Sequence, residues 1–200
     1  IVGKGGHGGM PHQTVDSIAI ASQVVTNLQH IVSRQMDPID SVVISVTRFI
    51  SGTTHNVIPG SAELTGTVRL LKTELRDEVA MRMEQVIKGI TSAHGATYTF
   101  DYVKGYRPLV NHPETTKMME DIVIEEFGKD AVEIMPPTMG GEDFSAYQQK
   151  APGTFIFIGI GNPSIGSDYP HHHERFTIDE AALQTGVKVF IATTYKLLQI

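Results

Sequence analysis

The chain is 200 residues long and acidic, with 16 Lys and Arg against 22 Asp and Glu and a formal net charge of -6. It lacks the basic footprint of nucleic-acid binding, no apolar run approaches the roughly 18 residues of a membrane span, and a hydrophobic content of 40% suffices for a core. Because the sequence contains no cysteine, it supplies neither disulfides nor thiolate ligands, which is consistent with a reducing, cytoplasmic location.

The first half of the chain alternates between strand-like and helix-like patterns. A short strand at Ile1–Lys4 leads into a glycine-rich stretch, and apolar residues at helical spacing predict a helix from Asp16 to Met36. The patterns that follow predict strands at 41–50 and 62–70, a helix at 73–94 and a strand at 96–102. Gly95 is expected to end that helix as a left-handed cap. The order β-α-β-β-α-β is ferredoxin-like and predicts a mixed α/β (α+β) fold, with one domain over residues 1–106.

The second half, residues 107–200, has too few strands for a complete sheet. Its patterns predict a helix at 113–128, a short strand at 132–135, a short helix at 142–149, a strand at 154–160 and a final helix at 179–198. The stretch 154–160 is apolar on both faces, which is typical of a buried central strand with a neighbour on each side. Since the sequence contains no such neighbours, we expect residues 107–200 to be an incomplete part of an α/β domain.

Three adjacent histidines, His171, His172 and His173, precede the final helix. Neutral imidazole is the commonest metal ligand in proteins, so this triplet is a candidate for metal binding. Consecutive residues of an extended loop point in alternate directions, and we therefore expect one ligand from the three rather than a whole site. The alternative interpretation is a polar surface loop.

Polar residues at three other places are further candidates. His7 lies in the glycine-rich stretch, which lacks the spacing of a phosphate-binding loop, and its ring either approaches a ligand or ties down the loop. Asn56 precedes a strand, where its amide either donates to an oxyanion or carboxylate or satisfies a turn. Glu142 and Asp143 either cap a short helix or orient a metal-bound histidine.

Five motifs in a fixed order connect these candidates to a known family. They are GKGGHGGMPHQTVD, THNVIPGSAELTGTVR, GGEDFSAY, PGTFIFIGIG and HHHERFTIDEAAL. With them the chain resembles the di-metal aminoacylase and carboxypeptidase family over essentially all 200 residues, and in particular the branch of N-acyl-L-amino-acid amidohydrolases, hippurate hydrolases and auxin-conjugate hydrolases. The resemblance implies a metal-dependent hydrolase that cleaves the amide bond of N-acyl-L-amino acids.

The resemblance also implies an architecture. In this family a ferredoxin-like domain is inserted into an α/β catalytic domain and serves as lid and dimerisation module. Residues 1–106 correspond to that lid, and residues 107–200 correspond to the C-terminal part of the catalytic domain. A homodimer through residues 1–106 and two divalent ions, zinc or manganese, are therefore expected of the whole enzyme, whereas the isolated chain need not hold metal.

Carried over residue by residue, the motifs assign three site residues. The histidine four positions before the phenylalanine of the last motif is a metal ligand in the family, and it corresponds to His172. The resemblance implies that His7 is the lid histidine that binds the oxyanion in the partner subunit's active site and that Asn56 binds the polar end of the substrate. His7 and Asn56 are thus the expected catalytic and substrate-binding residues. The family's other ligands and its general-base glutamate lie upstream of the GKGGH motif, and this sequence contains none of that segment.

Three functional hypotheses follow from these observations. In the first, the chain is a C-terminal piece of an N-acyl-amino-acid amidohydrolase and is inactive alone. In the second, it is a binding or dimerisation module that has lost catalysis, and turnover by the full-length protein that a chelator abolishes would reject it. In the third, it is a mononuclear metalloenzyme that uses all three histidines, which requires tight metal binding by these 200 residues.

Overall fold

A computed structural model describes residues 1–198, and the chain divides into two compact units. The first unit consists of Ile1–Pro108 and Thr138–Glu142. The second consists of Leu109–Pro137 and the residues from Asp143 onward. The mixture of helices and strands confirms the predicted α/β class.

The first unit contains the strands and two long helices. These elements are β1 (Gly6–His7), α1 (Ser17–His30), β2 (Val42–Ser51), β3 (Val57–Ile58), β4 (Ala62–Leu70) and α2 (Leu75–Ala93). A short 3₁₀ helix at Pro11–Gln13 precedes α1, and a π-helical turn at Ile31–Gln35 continues it.

The sheet of the first unit is built on a long antiparallel pair. β2 and β4 are in register from Val42 opposite Leu70 to Ser51 opposite Ala62, with an irregularity between Val46 and Arg48. Val2 forms single bridges to both Ser61 and Thr97. Across the sheet, β2 is followed by β4 with the adjoining Ser61, then by the segment at Val2, and then by the segment at Thr97. This order corresponds to the ferredoxin-like arrangement.

Two predicted strands of this sheet are wrong as continuous strands. At 1–4 the chain forms isolated bridges at Val2 and Lys4, and at 96–102 it forms a bridge at Thr97 alone. Tyr98 and Phe100 nevertheless pack against the hydrophobic core. The alternation in the sequence thus reflects the packing of side chains on the core, which does not require the backbone to join a ladder.

Local signals set the helix ends of the first unit as predicted. Oδ1 of Asp16 accepts hydrogen bonds from the amides of Ile18 and Ala19 at 3.0 and 3.1 Å, which caps the start of α1. Gly95 follows α2 with a φ of 70°, the left-handed conformation that glycine adopts readily. The two helices and the β2–β4 pair enclose one core, which contains Val24, Leu28, Ile31, Met36, Val42, Ile44, Val79 and Ile87.

The second unit is helical in the part that the structure describes. Its elements are α3 (Pro113–Phe127), α4 (Phe144–Tyr147) and α5 (Ala181–Leu198), with 3₁₀ turns at Lys129–Ala131 and Pro163–Ile165. α3 and α5 pack together; Ile122 and Val189 are buried, and the Thr193 hydroxyl donates to Sδ of Met119 at 3.4 Å. None of the helices in residues 1–198 is long and apolar enough to cross a membrane.

The strands predicted at 132–135 and 154–160 are wrong, and the helix predicted at 142–149 is shorter, as α4. A strand needs hydrogen bonds from the backbone of a neighbouring segment. At Phe155 the Asn111 side chain makes these hydrogen bonds instead. Nδ2 of Asn111 donates to the Phe155 carbonyl, and the Phe155 amide donates to Oδ1 of Asn111, both at 2.8 Å. The apolar run is only partly covered, with Phe155 half-buried and Phe157 59% exposed.

Candidate active-site residues

The first unit brings two of the predicted site residues together at the β1–β3 pair. His7 lies opposite Val57, the residue after Asn56, and the Gly8 amide donates to the Asn56 carbonyl at 2.8 Å. Both His7 and Asn56 are exposed. The backbone ladder therefore places His7 and Asn56 on two adjacent segments, with both side chains exposed.

The local hydrogen bonds of these two side chains use their acceptor atoms and not their donor groups. The Gly9 amide donates to Nδ1 of His7 at 3.0 Å, and the Thr54 hydroxyl donates to Oδ1 of Asn56 at 3.4 Å. Because the acceptor atom of each side chain is used inside the loop, Nε2 of His7 and Nδ2 of Asn56 remain as donors. Two such donors can stabilise negative charge that develops on a substrate oxygen.

The glycines around His7 serve close approach of the backbone rather than phosphate binding. A methyl group on Gly8 would lie 2.9 Å from the carbonyl oxygen of Asn56, and one on Gly5 would lie 2.8 Å from the carbonyl oxygen of Ile58. Any larger residue would push the β1 and β3 segments apart. This is the physical reason for glycine in the GKGGHGG motif at these two positions.

The histidine loop lies in the second unit, and its three rings differ in their surroundings. His173 stacks on Tyr169 with ring centroids 4.4 Å apart, and its Nδ1 accepts the Arg175 amide at 3.0 Å. His171 lies edge-on to Phe176, with centroids 5.0 Å apart. His172 is exposed, and the structure describes neither a hydrogen bond nor a ring contact for it. The loop thus engages two rings and leaves the predicted ligand His172 available.

The backbone at His172 adopts an unusual conformation. Its φ is 67°, the one positive value of a non-glycine residue within residues 1–198. A side chain in the left-handed region carries a strain of roughly 1–3 kcal/mol, and such residues cluster at functional sites. The strain supports the choice of His172 among the three neighbours.

Hydrogen bonds close the base of the histidine loop. The Ser167 side chain is buried, and its hydroxyl lies 2.8 Å from the Ile160 carbonyl and 3.3 Å from the Thr177 carbonyl. The Asp179 carboxylate accepts from the Asn162 side chain at 2.7 Å and from the Ala181 amide at 3.0 Å. These two hydrogen bonds, that from Asn162 first, lower the pKa of Asp179 below its usual value.

The acidic pair after the double glycine falls at the start of α4. Asp143 occupies the N-cap position, but its side chain makes no capping hydrogen bond. Asp143 therefore provides no hydrogen-bonded cap for α4. Gly141, which belongs to the first unit, lies directly against the Arg69 guanidinium, so a side chain at position 141 would displace the end of this arginine.

The described residues do not fit a metal ion by themselves. Within residues 1–198 there is no group of three or more His, Asp or Glu side chains that could hold one. His172 can supply one ligand, and a metal centre would need others. Sequence reasoning missed the partners that orient the candidates, Gly9 and Thr54, because backbone amides and hydroxyls carry no motif of their own.

Comparison with known proteins places the chain in a family. The model of peptidase family M20/M25/M40 matches residues 5–196, and the chain belongs to this family. This confirms the resemblance to the di-metal aminoacylases and carboxypeptidases.

Individual relatives agree with that assignment. YhaA of Bacillus subtilis is 44% identical over 197 residues, which cover 98% of this chain and 50% of YhaA. The N-acyl-L-amino acid amidohydrolase of Geobacillus stearothermophilus is 60% identical over 114 residues, covering 57% of this chain and 31% of that protein. The chain thus spans about half, or less, of the length of the curated relatives it matches.

A solved structure shows the same fold. The YXEP protein of Bacillus subtilis, described as a dinuclear metal-binding peptidase of the M20 family, superposes with a TM-score of 0.73 and 31% identity. The match covers 92% of this chain and 47% of that protein.

Proposed function

We propose that the whole protein is a metal-dependent amidohydrolase that cleaves the amide bond of N-acyl-L-amino acids. The observation that carries this proposal is that two exposed donors, His7 and Asn56, lie on adjacent segments that the β1–β3 ladder joins. Membership of the M20 family and the amidohydrolase among the relatives support the reaction class. In this proposal residues 1–106 form a lid and residues 107–200 belong to the catalytic domain.

The chemistry assigned to this chain is stabilisation of the tetrahedral intermediate. When a nucleophile attacks the amide carbonyl, negative charge develops on the carbonyl oxygen. Nε2–H of His7 is the proposed donor to that oxygen, and Nδ2–H of Asn56 donates at the polar end of the substrate. Loss of one preorganised donor to such an oxyanion costs about 10²–10³ in kcat.

Two divalent ions, zinc or manganese, complete the proposal for the whole protein. The YXEP protein is described as dinuclear, and His172 is the residue of this chain that we assign as a ligand. In amide hydrolases such ions supply a nucleophile at neutral pH and polarise the carbonyl. Because the described residues provide one ligand, the others must come from outside this set.

A homodimer through residues 1–106 is the proposed assembly, in a cytoplasmic protein. Among the described residues β2 pairs with β4 alone, so its other edge is open, and Val43, Phe49 and Ile50 on this strand are exposed. Open edges of this kind pair readily with another chain. Sedimentation of the full-length protein tests the assembly: Val43→Lys should shift a dimer toward monomer, and an unchanged dimer would reject this surface.

The activity is tested on the full-length protein with N-acetyl- and N-benzoyl-amino acids. We expect hydrolysis that a chelator abolishes, and a loss of about 10²–10³ in kcat for His7→Ala. His12→Ala, an exposed histidine of the same loop region, is the matched control and should retain activity. Absence of turnover in the metal-loaded protein would instead favour a module without catalysis.

Metal content separates the histidines of the triplet. His172→Ala should lower the bound metal of the full-length protein, measured by elemental analysis, whereas His171→Ala should not. Equal metal content in both variants would contradict the assignment of His172.

A further inference from the structure

The segment from His7 to Met10 is a tight turn whose backbone contacts the side chain of its own first residue. The Met10 amide donates to the His7 carbonyl at 2.8 Å, and the Gly9 amide donates to Nδ1 of His7 at 3.0 Å. Neither Gly8 nor Gly9 has a positive φ, so conformational freedom does not explain the two glycines of the turn. Space requires glycine at position 8, where a methyl group would lie 2.9 Å from the Asn56 carbonyl oxygen. A methyl group on Gly9 would lie 3.3 Å from Nδ1 of His7, a contact that a small movement of the ring relieves.

The direction of the Gly9–His7 hydrogen bond fixes the proton on the ring. A backbone N–H can only donate, so Nδ1 of His7 must present its lone pair. A neutral imidazole carries a single N–H, and that proton must then be on Nε2. The partner of one ring nitrogen thereby decides the chemistry of the other.

The turn is also held against the Asn56 loop. The Gly8 amide donates to the Asn56 carbonyl at 2.8 Å, and Gly8 leaves no room for a side chain there. The Gly8 hydrogen bond therefore sets the position of the turn, while the Gly9 hydrogen bond sets the state of the ring. These roles belong to adjacent amides and can be tested separately.

We propose that Gly9 is a positioning residue, whose amide holds His7 in the Nε2–H tautomer and aims this donor away from the loop. The use of the donor toward a substrate oxygen rests on the proposed function, whereas the tautomer does not. Gly9 itself touches no substrate in this proposal. It acts through His7.

Two substitutions of His7 in the full-length protein separate the ring nitrogens. His7→Asn places an amide oxygen near the position of Nδ1 and should keep the Gly9 hydrogen bond. His7→Gln places its amide near the position of Nε2 and should lose that bond. Hydrogen exchange of the Gly9 amide, read by mass spectrometry, should stay at the wild-type rate in the first variant. In the second we expect it to rise roughly two- to tenfold, the range of one ordinary hydrogen bond.

The tautomer is observed directly by nitrogen NMR of the full-length protein labelled in histidine. We expect His7 to show the Nε2–H pattern with a larger excess over the other tautomer than exposed His12 shows in the same spectrum. Gly9→Ala retains the amide and should keep the pattern, whereas Gly9→Pro removes it and should lower the excess. Unchanged resonances from the rest of the protein in Gly9→Pro confirm that the fold is intact.

The outcomes separate this inference from the proposed function. An Nδ1–H tautomer of His7, or equal Gly9 exchange in the Asn and Gln variants, overturns it whatever the enzyme does. If the exchange and NMR results are as expected but no amide substrate is turned over, the positioning role stands and the proposed function fails. If both hold, His7→Gln should retain more activity than His7→Asn, because only Gln keeps a donor at the outer position.

Discussion

The two units of this chain differ in how far their apolar residues are buried. In the first unit α1, α2 and the β2–β4 pair enclose a core in which Ile31 and Val79 are both 0% exposed. In the second unit, as far as it is described, Ile122 and Val189 are the buried hydrophobic residues, while Ile134 is 91% and Phe190 77% exposed. The first unit therefore completes its own core, and the second does not.

The final helix shows what the second unit lacks. One face of α5, with Val189 and Thr193, packs toward α3. A second stripe at helical spacing is uncovered and consists of Leu183, Val187, Phe190, Ile191 and Leu198. A helix that is apolar on two faces is typical of a position between two layers. Relatives about twice as long as this chain have further residues that could form such a layer.

Separating the units is the strongest test of this comparison. Residues 1–108 expressed alone should unfold in one cooperative transition, since their core is closed. Residues 109–200 alone should show no cooperative transition and should bind a hydrophobic dye. Thermal denaturation followed by circular dichroism measures both. A sharp transition in the second piece would break the comparison.

Two isoleucines provide a matched pair of substitutions in the 200-residue chain. Ile31→Ala removes a fully buried side chain from the first core and should cost about 2–5 kcal/mol in the free energy of unfolding. Ile134→Ala, at 91% exposure, should change it by less than about 0.5 kcal/mol. Chemical denaturation measures both values. Similar costs would show that Ile134 is covered in solution.

Substitution of Ser167 tests whether its buried hydrogen bonds hold the histidine loop of the second unit in place. Ser167→Ala removes a buried hydroxyl next to two carbonyls and should destabilise the histidine loop by about 1–3 kcal/mol. Faster hydrogen exchange across residues 161–178 is the expected readout. The exposed Ser164 serves as control, and equal effects of both alanine variants would contradict the role of Ser167.

A smaller effect is expected from pH at Asp179. Hydrogen bonds from Asn162 and Ala181 hold its pKa below the unfolded value, so their contribution is complete above that value. It is lost as the pH falls through the lowered pKa of the folded state. Loop exchange rates corrected for intrinsic pH dependence should therefore rise on acidification. Asn162→Ala should reduce this pH dependence. An unchanged dependence of the exchange rates on pH would contradict the role of the Asn162–Asp179 hydrogen bond.

The sequence predicts local features of this fold better than pairings between distant segments. Asp16 and Gly95 act within one helical turn of their own positions, and both predictions are confirmed. The strand predicted at 154–160 depended on partners elsewhere, and there the Asn111 side chain substitutes for a backbone. Hydrophobic alternation reports burial, and burial alone does not define a ladder.

The same distinction between local features and distant pairings applies to the candidate site. The motifs indicated His7, Asn56 and His172 by resemblance, and their roles stay predictions. The adjacency of His7 and Asn56 depends on the β1–β3 pairing, which no local pattern encodes. The amide of Gly9 could not be predicted as the partner of His7 because every residue except proline carries one.

The left-handed backbone of His172 lowers the stability of the loop at the residue that we assign as a metal ligand. Glycine at this position would relieve the strain and should make the loop more stable, yet it would remove the imidazole that we assign as a metal ligand. A selection for thermal stability alone would therefore favour loss of this histidine. The proposed function of the ring supplies a reason for keeping histidine in this strained conformation.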